Sequence, residues 1–178
     1  MLESNILTIA KTGAAILTHQ TQPVVTFDQA LVQLTDDMMA TMLAANGVGI
    51  AAPQVFSNKA VFIMHSRPNA RYPSIPTSQA TIVINPQIIS SSLEVEAATE
   101  GCLSIDNQRV SVYRHKHINV EYQTLSGKWV TQQLSGFDAR IFQHEFDHLQ
   151  GITLLERIKM PDQQQAFDQE KSRLQDVC

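Results

Sequence analysis

Residues 144–148 read His-Glu-Phe-Asp-His. On an α-helix His144 and His148 stand four residues apart and project from one face, where two imidazoles can fill two corners of a tetrahedral metal site. Glu145 sits about 100° around the axis from His144 at ~3.6 residues per turn. Its carboxylate therefore lies beside the ligands and can handle the proton of a metal-activated water without binding the ion itself. The chemistry implied is hydrolysis of an amide-like bond. Such a site needs a third protein ligand and one coordination position left open. Cys102, within Glu100-Gly101-Cys102-Leu103-Ser104, is the best candidate, because a thiolate binds a borderline-soft ion well and the metal would deprotonate it. Gly101 beside it lets a chain or substrate approach closely. His65, His115, His117 and several carboxylates compete for the third position, and spacing alone does not choose among them.

The histidines can act only if their segment is held inside the protein. A helix is expected to begin after Ser135-Gly136 and run to Gln150, closed by Gly151. On it Phe137, Ile141, His144 and His148 share one sector. Ala139, Phe142, Phe146 and Leu149 lie nearly opposite, with Gln143, Asp147 and Gln150 in the gap. A helix apolar on two sides has to be covered on both, so it is read as central, embraced by sheet, its histidines facing an inner pocket. Arg140 falls close to the ligand sector and is placed at the pocket mouth. An earlier helix is expected over 27–46. Thr26 with Gln29 three residues on is a capping-box pattern, Leu31, Leu34, Met38 and Met42 make an apolar stripe, and Asn46-Gly47 is the stop, with Gly47 as the left-handed cap. Strands are expected at 59–65, 81–85, 87–98, 117–124 and 128–134, the last two joined through Ser126-Gly127 as an antiparallel hairpin. The stretch 67–76 holds three prolines and reads as a loop. Residues 1–25 are expected to form a loop-rich wrap, and Pro161 to open a last, mostly polar surface helix. The fold class is α+β: antiparallel β-sheets wrapped around a central metal-binding helix, with a first helix before the sheets and a C-terminal surface helix.

The chain has 178 residues, 43% of them hydrophobic, and 1–178 is read as a single domain with an adequate core. A formal charge of −4, with Lys and Arg scattered, argues against specific nucleic-acid binding. No apolar run approaches the ~20 residues that span a bilayer, which argues against a membrane partner, and the first residues lack the pattern of a secretory signal. With only Cys102 and Cys178, a disulfide framework is not expected, and Cys178 is read as a terminal residue without a role. A reducing, cytoplasmic setting is the simplest reading.

Three segments resemble the motifs of the peptide deformylase family: Gly47-Val48-Gly49-Ile50-Ala51-Ala52-Pro53-Gln54, Glu100-Gly101-Cys102-Leu103-Ser104, and Gln143-His144-Glu145-Phe146-Asp147-His148-Leu149-Gln150-Gly151. They occur in the family's order, and the likeness spans roughly residues 24–160. His-Glu-x-x-His alone occurs in many unrelated metallopeptidases; the three together are specific. The resemblance implies removal of the formyl group from the N-terminal formyl-methionine of newly made polypeptides, near the ribosome. It implies one divalent ion, usually Fe²⁺ with Ni²⁺, Co²⁺ or Zn²⁺ as substitutes, held by Cys102, His144 and His148. It makes Glu145 the general base and acid, and the Gln54 amide and Leu103 N–H the donors to the developing oxyanion. It also implies that Val48 and Gly49 form a strand pairing with the substrate backbone. Phe137 and Ile141 would wall a methionine slot, with Ala98 and Val48 opposite.

This chain departs from the family's usual pattern at residues 10–20, at Ile50 and at Asp106-Asn107, none of them a proposed ligand. Two rival readings stand at this point: a metallopeptidase or other amidohydrolase, and a binding protein on the same scaffold. Glu100 and Asp147 read either as supports for the histidines or as ordinary ion-pair residues.

Overall fold

The computed structural model describes residues 4–70 and 72–175; Cys178 lies outside the described residues. A five-stranded sheet has the spatial order β1 (Gly49–Ala51), β2 (Val61–Met64), β3 (Thr81–Ser91), β6 (His117–Gln123) and β7 (Trp129–Ser135). A two-stranded sheet pairs β4 (Val95–Gly101) with β5 (Arg109–His115). All of these strand pairs are antiparallel. Helix α1 (Gln29–Ala44) precedes the sheets and α2 (Gly136–Leu149) follows them. A single turn, α3 (Leu154–Arg157), leads into α4 (Pro161–Gln175). This is the α+β arrangement expected.

Strand alternation explains why β2 is buried at every position. Successive side chains point to opposite faces, and both faces of the sheet are covered. Phe62 and Met64 join Val83, Ile118, Val120 and Leu134 against Ala139, Ile141, Phe142 and Leu149 of α2. Val61 and Ile63 join Ile50 and Ile84 against Leu31, Met38 and Met42 of α1. The rings of Phe62 and Phe142 meet edge to face with centroids 5.0 Å apart, a favoured aromatic geometry. Helix α2 also packs on β1, β5, β6 and β7. Gln143 and Asp147, assigned to the gap between two apolar faces, are buried as well, so α2 is enclosed nearly all round.

Several local expectations are corrected. Helix α1 is capped by Asp28, whose side chain accepts from Leu31 N at 3.0 Å, and not by Thr26; a carboxylate is at least as good an acceptor there. Asn46, at φ +52°, takes the left-handed position expected of Gly47. The strand expected over 87–98 is two strands broken at 92–94, and β5 was not expected at all. Strand β3 runs past Asn85 and Pro86 through a register shift. The Asn85 amide receives Val24 N and donates to Val24 O, both at 2.8 Å, and the bulge tolerates a proline without an N–H. Helix α4 is polar but docked: Gln163 bonds Tyr113 N at 2.8 Å and Tyr113 O at 3.0 Å. No helix among the described residues is long and apolar enough to cross a membrane.

The wrap formed by residues 4–25 is specific in what it touches. Ala10 N donates to Gln54 O at 2.7 Å, Thr12 N to Ser104 O at 2.9 Å and Thr21 N to Leu149 O at 2.9 Å. Each of the three motif segments is thus fastened to one belt. Two of the departures noted above also meet there, since Lys11 Nζ reaches Asp106 Oδ1 at 2.7 Å and Leu103 O at 3.1 Å. Gly151 lies under the belt at φ +74°, where a Cβ would come within 2.8 Å of the Thr18 carbonyl carbon and 2.9 Å of His19 backbone atoms. Gly151→Ala is expected to lose ~2 kcal/mol of stability from strain and backbone collision together. A lowered urea midpoint at unchanged slope would show it.

Candidate active site

Helix α2 and the segment after β4 bring three ligand atoms together. Cys102, His144 and His148 offer one donor atom each, all within 4.8 Å of one another, and they form the metal-ligand cluster found among the described residues. Cys102 Sγ lies 3.2 Å from His148 Nε2, and the two imidazole rings stand at 72° with centroids 5.2 Å apart. His65, His115 and His117 are outside this cluster; the His115 ring bonds instead to Ser92 O at 2.7 Å.

The ring of His144 is aimed by its neighbour. Its Nδ1 bonds Glu100 Oε2 at 2.9 Å, which leaves Nε2 for a ligand's role, the usual arrangement where a carboxylate orients a metal-binding imidazole. Glu100 is itself gripped on both oxygens by Arg114, at 3.0 Å each, and by Arg140 at 2.8 Å. Arg114 continues to Asp147 at 2.5 Å, and Asp147 is held in turn by Arg157. Burial works against charge on Glu100, yet Arg114 and His144 outweigh it and hold the carboxyl well below the ordinary carboxylate range. Asp147 is likewise lowered by Arg114 and Arg157 against its burial. Glu100 and Asp147 are thus joined through Arg114, a residue that sequence reading missed.

The Cys102 thiol follows the same logic. Burial opposes the thiolate, but the facing His148 and His144 hold its pKa well below the ordinary thiol value. The thiolate is the form a metal requires. Gln54 reaches the same sulfur from the short 3₁₀ turn Ala52–Val55. Its Oε1 accepts from Ala51 N at 2.8 Å, which turns the NH₂ group toward Cys102 Sγ at 3.4 Å and Ser104 Oγ at 3.1 Å.

Glu145 is 4% exposed, and burial pushes its carboxyl up to about 7. Its Oε2 is buried and has no hydrogen-bond partner among the described residues, as is true of His148 Nδ1. Its Oε1 faces Gly49 so closely that a Cβ there would lie 2.3 Å away. A buried unpartnered carboxylate oxygen beside one sulfur and two imidazole donors fits a divalent ion with its bound solvent. The donor set suits Fe²⁺, Co²⁺, Ni²⁺ or Zn²⁺ rather than a hard oxygen-seeking cation.

The cleft over these groups is lined by Val48, Gly49, Gln54, Gly101, Cys102, Leu103, Phe137, Arg140, Ile141, His144 and Glu145 among the expected residues. Ala98 is not part of the lining; it sits in β4 opposite Val112. Arg140 borders the cleft, and its guanidinium donates to Glu100, Val112 O and Glu96 O. Within the protein a Cβ on Gly101 would make only ordinary contacts at 3.6 Å or more, whereas one on Gly49 would collide with Glu145. Strand β1 ends the five-stranded sheet, leaving one edge beside the cleft that an extended peptide can extend. Asn46, Gly47, Tyr72 and Glu100 also line it. Nothing in the proline-rich 67–76 stretch signalled Tyr72, whereas Glu100 was visible two residues before the sulfur.

The family model for polypeptide deformylase matches residues 6–164. Peptide deformylase 2 of Shewanella oneidensis is 56% identical over 157 residues, covering 88% of this chain and 87% of that protein. Peptide deformylase of Thermotoga neapolitana is 40% identical over 147 residues, covering 83% and 84%. Among solved structures, the Met-Ala-Ser-bound class I type b peptide deformylase from Acinetobacter baumannii superposes with a TM-score of 0.85 at 47% identity, covering 88% of this chain and all of that one.

Proposed function

Because this chain belongs to the polypeptide deformylase family, we propose that the cleft between β1 and α2 is where it removes the formyl group from the N-terminus of newly made polypeptides, releasing formate. The observation that carries this reading is the Cys102–His144–His148 cluster with the buried, unpartnered Oε2 of Glu145 beside it. A divalent ion held by these three residues would supply Lewis acidity, polarising the formyl oxygen and lowering the pKa of a water.

The chain's own residues do the rest. The formylated terminus lies along β1, with Val48 and Gly49 offering backbone groups. Water adds to the formyl carbon while Glu145 takes one of its protons. Glu145 then returns that proton to the amine nitrogen as the carbon–nitrogen bond breaks, so formate and a free amine leave. Gln54 Nε2, already oriented by Ala51, and the Leu103 N–H donate to the oxygen on which negative charge develops; a donor of this kind is worth ~3–4 kcal/mol. Phe137, Ile141 and Val48 form an apolar slot suited to a flexible thioether. We assign the whole of 1–178 to one catalytic domain, with Fe²⁺ as the resident ion and a cytoplasmic, ribosome-proximal place of action.

The test is formate release from formyl-Met peptides by anaerobically metallated protein, with metal content measured on the same sample. No turnover with the site loaded would reject the reading. A parallel arm with unformylated peptides separates it from a metallopeptidase. For the ion, the Fe²⁺ form is expected to lose most of its activity within hours in air, by oxidation at the iron and Cys102, while a Zn²⁺ form keeps its activity. Equal survival of both forms would count against iron.

A further inference from the structure

The 67–76 loop leaves after β2 and is tied down at both ends. Ser78 N donates to Ser66 O at 2.9 Å and Ser66 Oγ to Pro76 O at 2.7 Å, closing its base. Tyr72 N donates to Asn69 O at 3.1 Å and to Asn69 Oδ1 at 2.9 Å. Arg67 Nη2 reaches Gly47 O at 3.4 Å, on the segment that enters β1, and Ser78 Oγ reaches Asp138 Oδ1 at 3.3 Å in the first turn of α2. The loop therefore bridges the two elements that flank the cleft. Tyr72 is the residue it contributes: its ring is 4.9 Å from that of Phe137 at a tilt of 60°, and both residues line the cleft. The guanidinium carbon of Arg109 lies 4.9 Å from the centre of the Tyr72 ring, a cation–π contact.

The position of the pair along α2 fixes what it can touch. Phe137 precedes His144 by seven residues, ~10 Å along the axis at ~1.5 Å per residue. That is about the reach of a formyl group plus one long side chain from the metal end of the cleft. We infer that Tyr72 forms, with Phe137, the far wall of the slot for the first side chain of the formylated peptide, and so sets the preference for a long, unbranched apolar side chain. This rests on the deformylase reading of the site. An aromatic face at that distance also offers favourable contact to a thioether sulfur.

The test compares wild type, Tyr72→Ala and Tyr72→Phe on formyl-Met and formyl-Ala tripeptides that are otherwise identical. The alanine side chain is too short to reach the wall. Tyr72→Ala is expected to lower kcat/KM for formyl-Met ~10-fold, mainly through KM, and to leave formyl-Ala little changed. Tyr72→Phe keeps the ring and is expected to keep the wild-type ratio. An equal loss on both substrates, an unchanged ratio, or a ratio lost in Tyr72→Phe as well would overturn the inference. Tyr72→Val replaces Tyr72→Ala should the latter fail to fold, with the same outcomes. Wild type measured alongside separates the two levels: no formate from wild type condemns the activity, whereas wild-type turnover with an unmoved ratio condemns Tyr72 alone.

Discussion

Glu145→Gln is expected to reduce formate release by ~10³–10⁴-fold while leaving bound metal unchanged. Positioned proton transfer is worth up to about that factor. Glutamine keeps the size and shape of the side chain but can neither take a proton from water nor deliver one to an amine. The structure gives reasons to expect the upper end. The carboxyl is 4% exposed, so bulk water is a poor substitute for it. Burial pushes it up to about 7, where it can both accept and release a proton near neutrality. Its Oε2 is committed to no other group among the described residues. Activity above about a tenth of wild type, with the metal retained, would remove Glu145 from the mechanism.

Gly49→Ala is expected to cost ~10²-fold in kcat/KM without loss of metal. The alanine methyl would lie 2.3 Å from Glu145 Oε1, 2.8 Å from Cδ and 3.0 Å from Cγ, so the carboxylate must move by the better part of an ångström. A misplacement of ~1 Å in a catalytic group costs about that factor. The three atoms nearest that methyl all belong to Glu145, and metal content separates displacement of the base from collapse of the site. Wild-type kinetics in Gly49→Ala would mean that Glu145 works from a different rotamer.

Much of this site was legible because its information is local. The i, i+4 histidines, the intervening acid and the apolar two-sided helix can be read from one run of residues, and α2 lies close to where that pattern puts it. The Ser126-Gly127 turn and its two strands are likewise a local matter. Strand β5 shows why the rest was hidden. Its inward alternation runs through Val110 and Val112 and then reaches Arg114, a charge where a core residue would be expected. That guanidinium is tolerated because carboxylates arrive from Glu100 in β4 and Asp147 in α2, partners that no window around 114 contains. Ala98 shares the strand face of Glu100, two residues on, but it lies farther along β4 and is absent from the residues that line the cleft. Arg140 borders the cleft, as its helical angle puts it, while the acceptors of its guanidinium, on β4 and β5, could not be read from the helix.

The N-terminal belt has a consequence for how the molecule comes into being. Thr21 is joined to Leu149 across a sequence separation of 128 residues, so this bond of the belt can form only after α2 has been made, later than those to Gln54 and Ser104. Such distant pairing is entropically slow to close, and partly built chains expose sheet edges in the interval. Refolding of this protein should accordingly end with the belt fastening, and a fusion partner attached ahead of residue 10 should lengthen that final phase more than one attached at the other terminus.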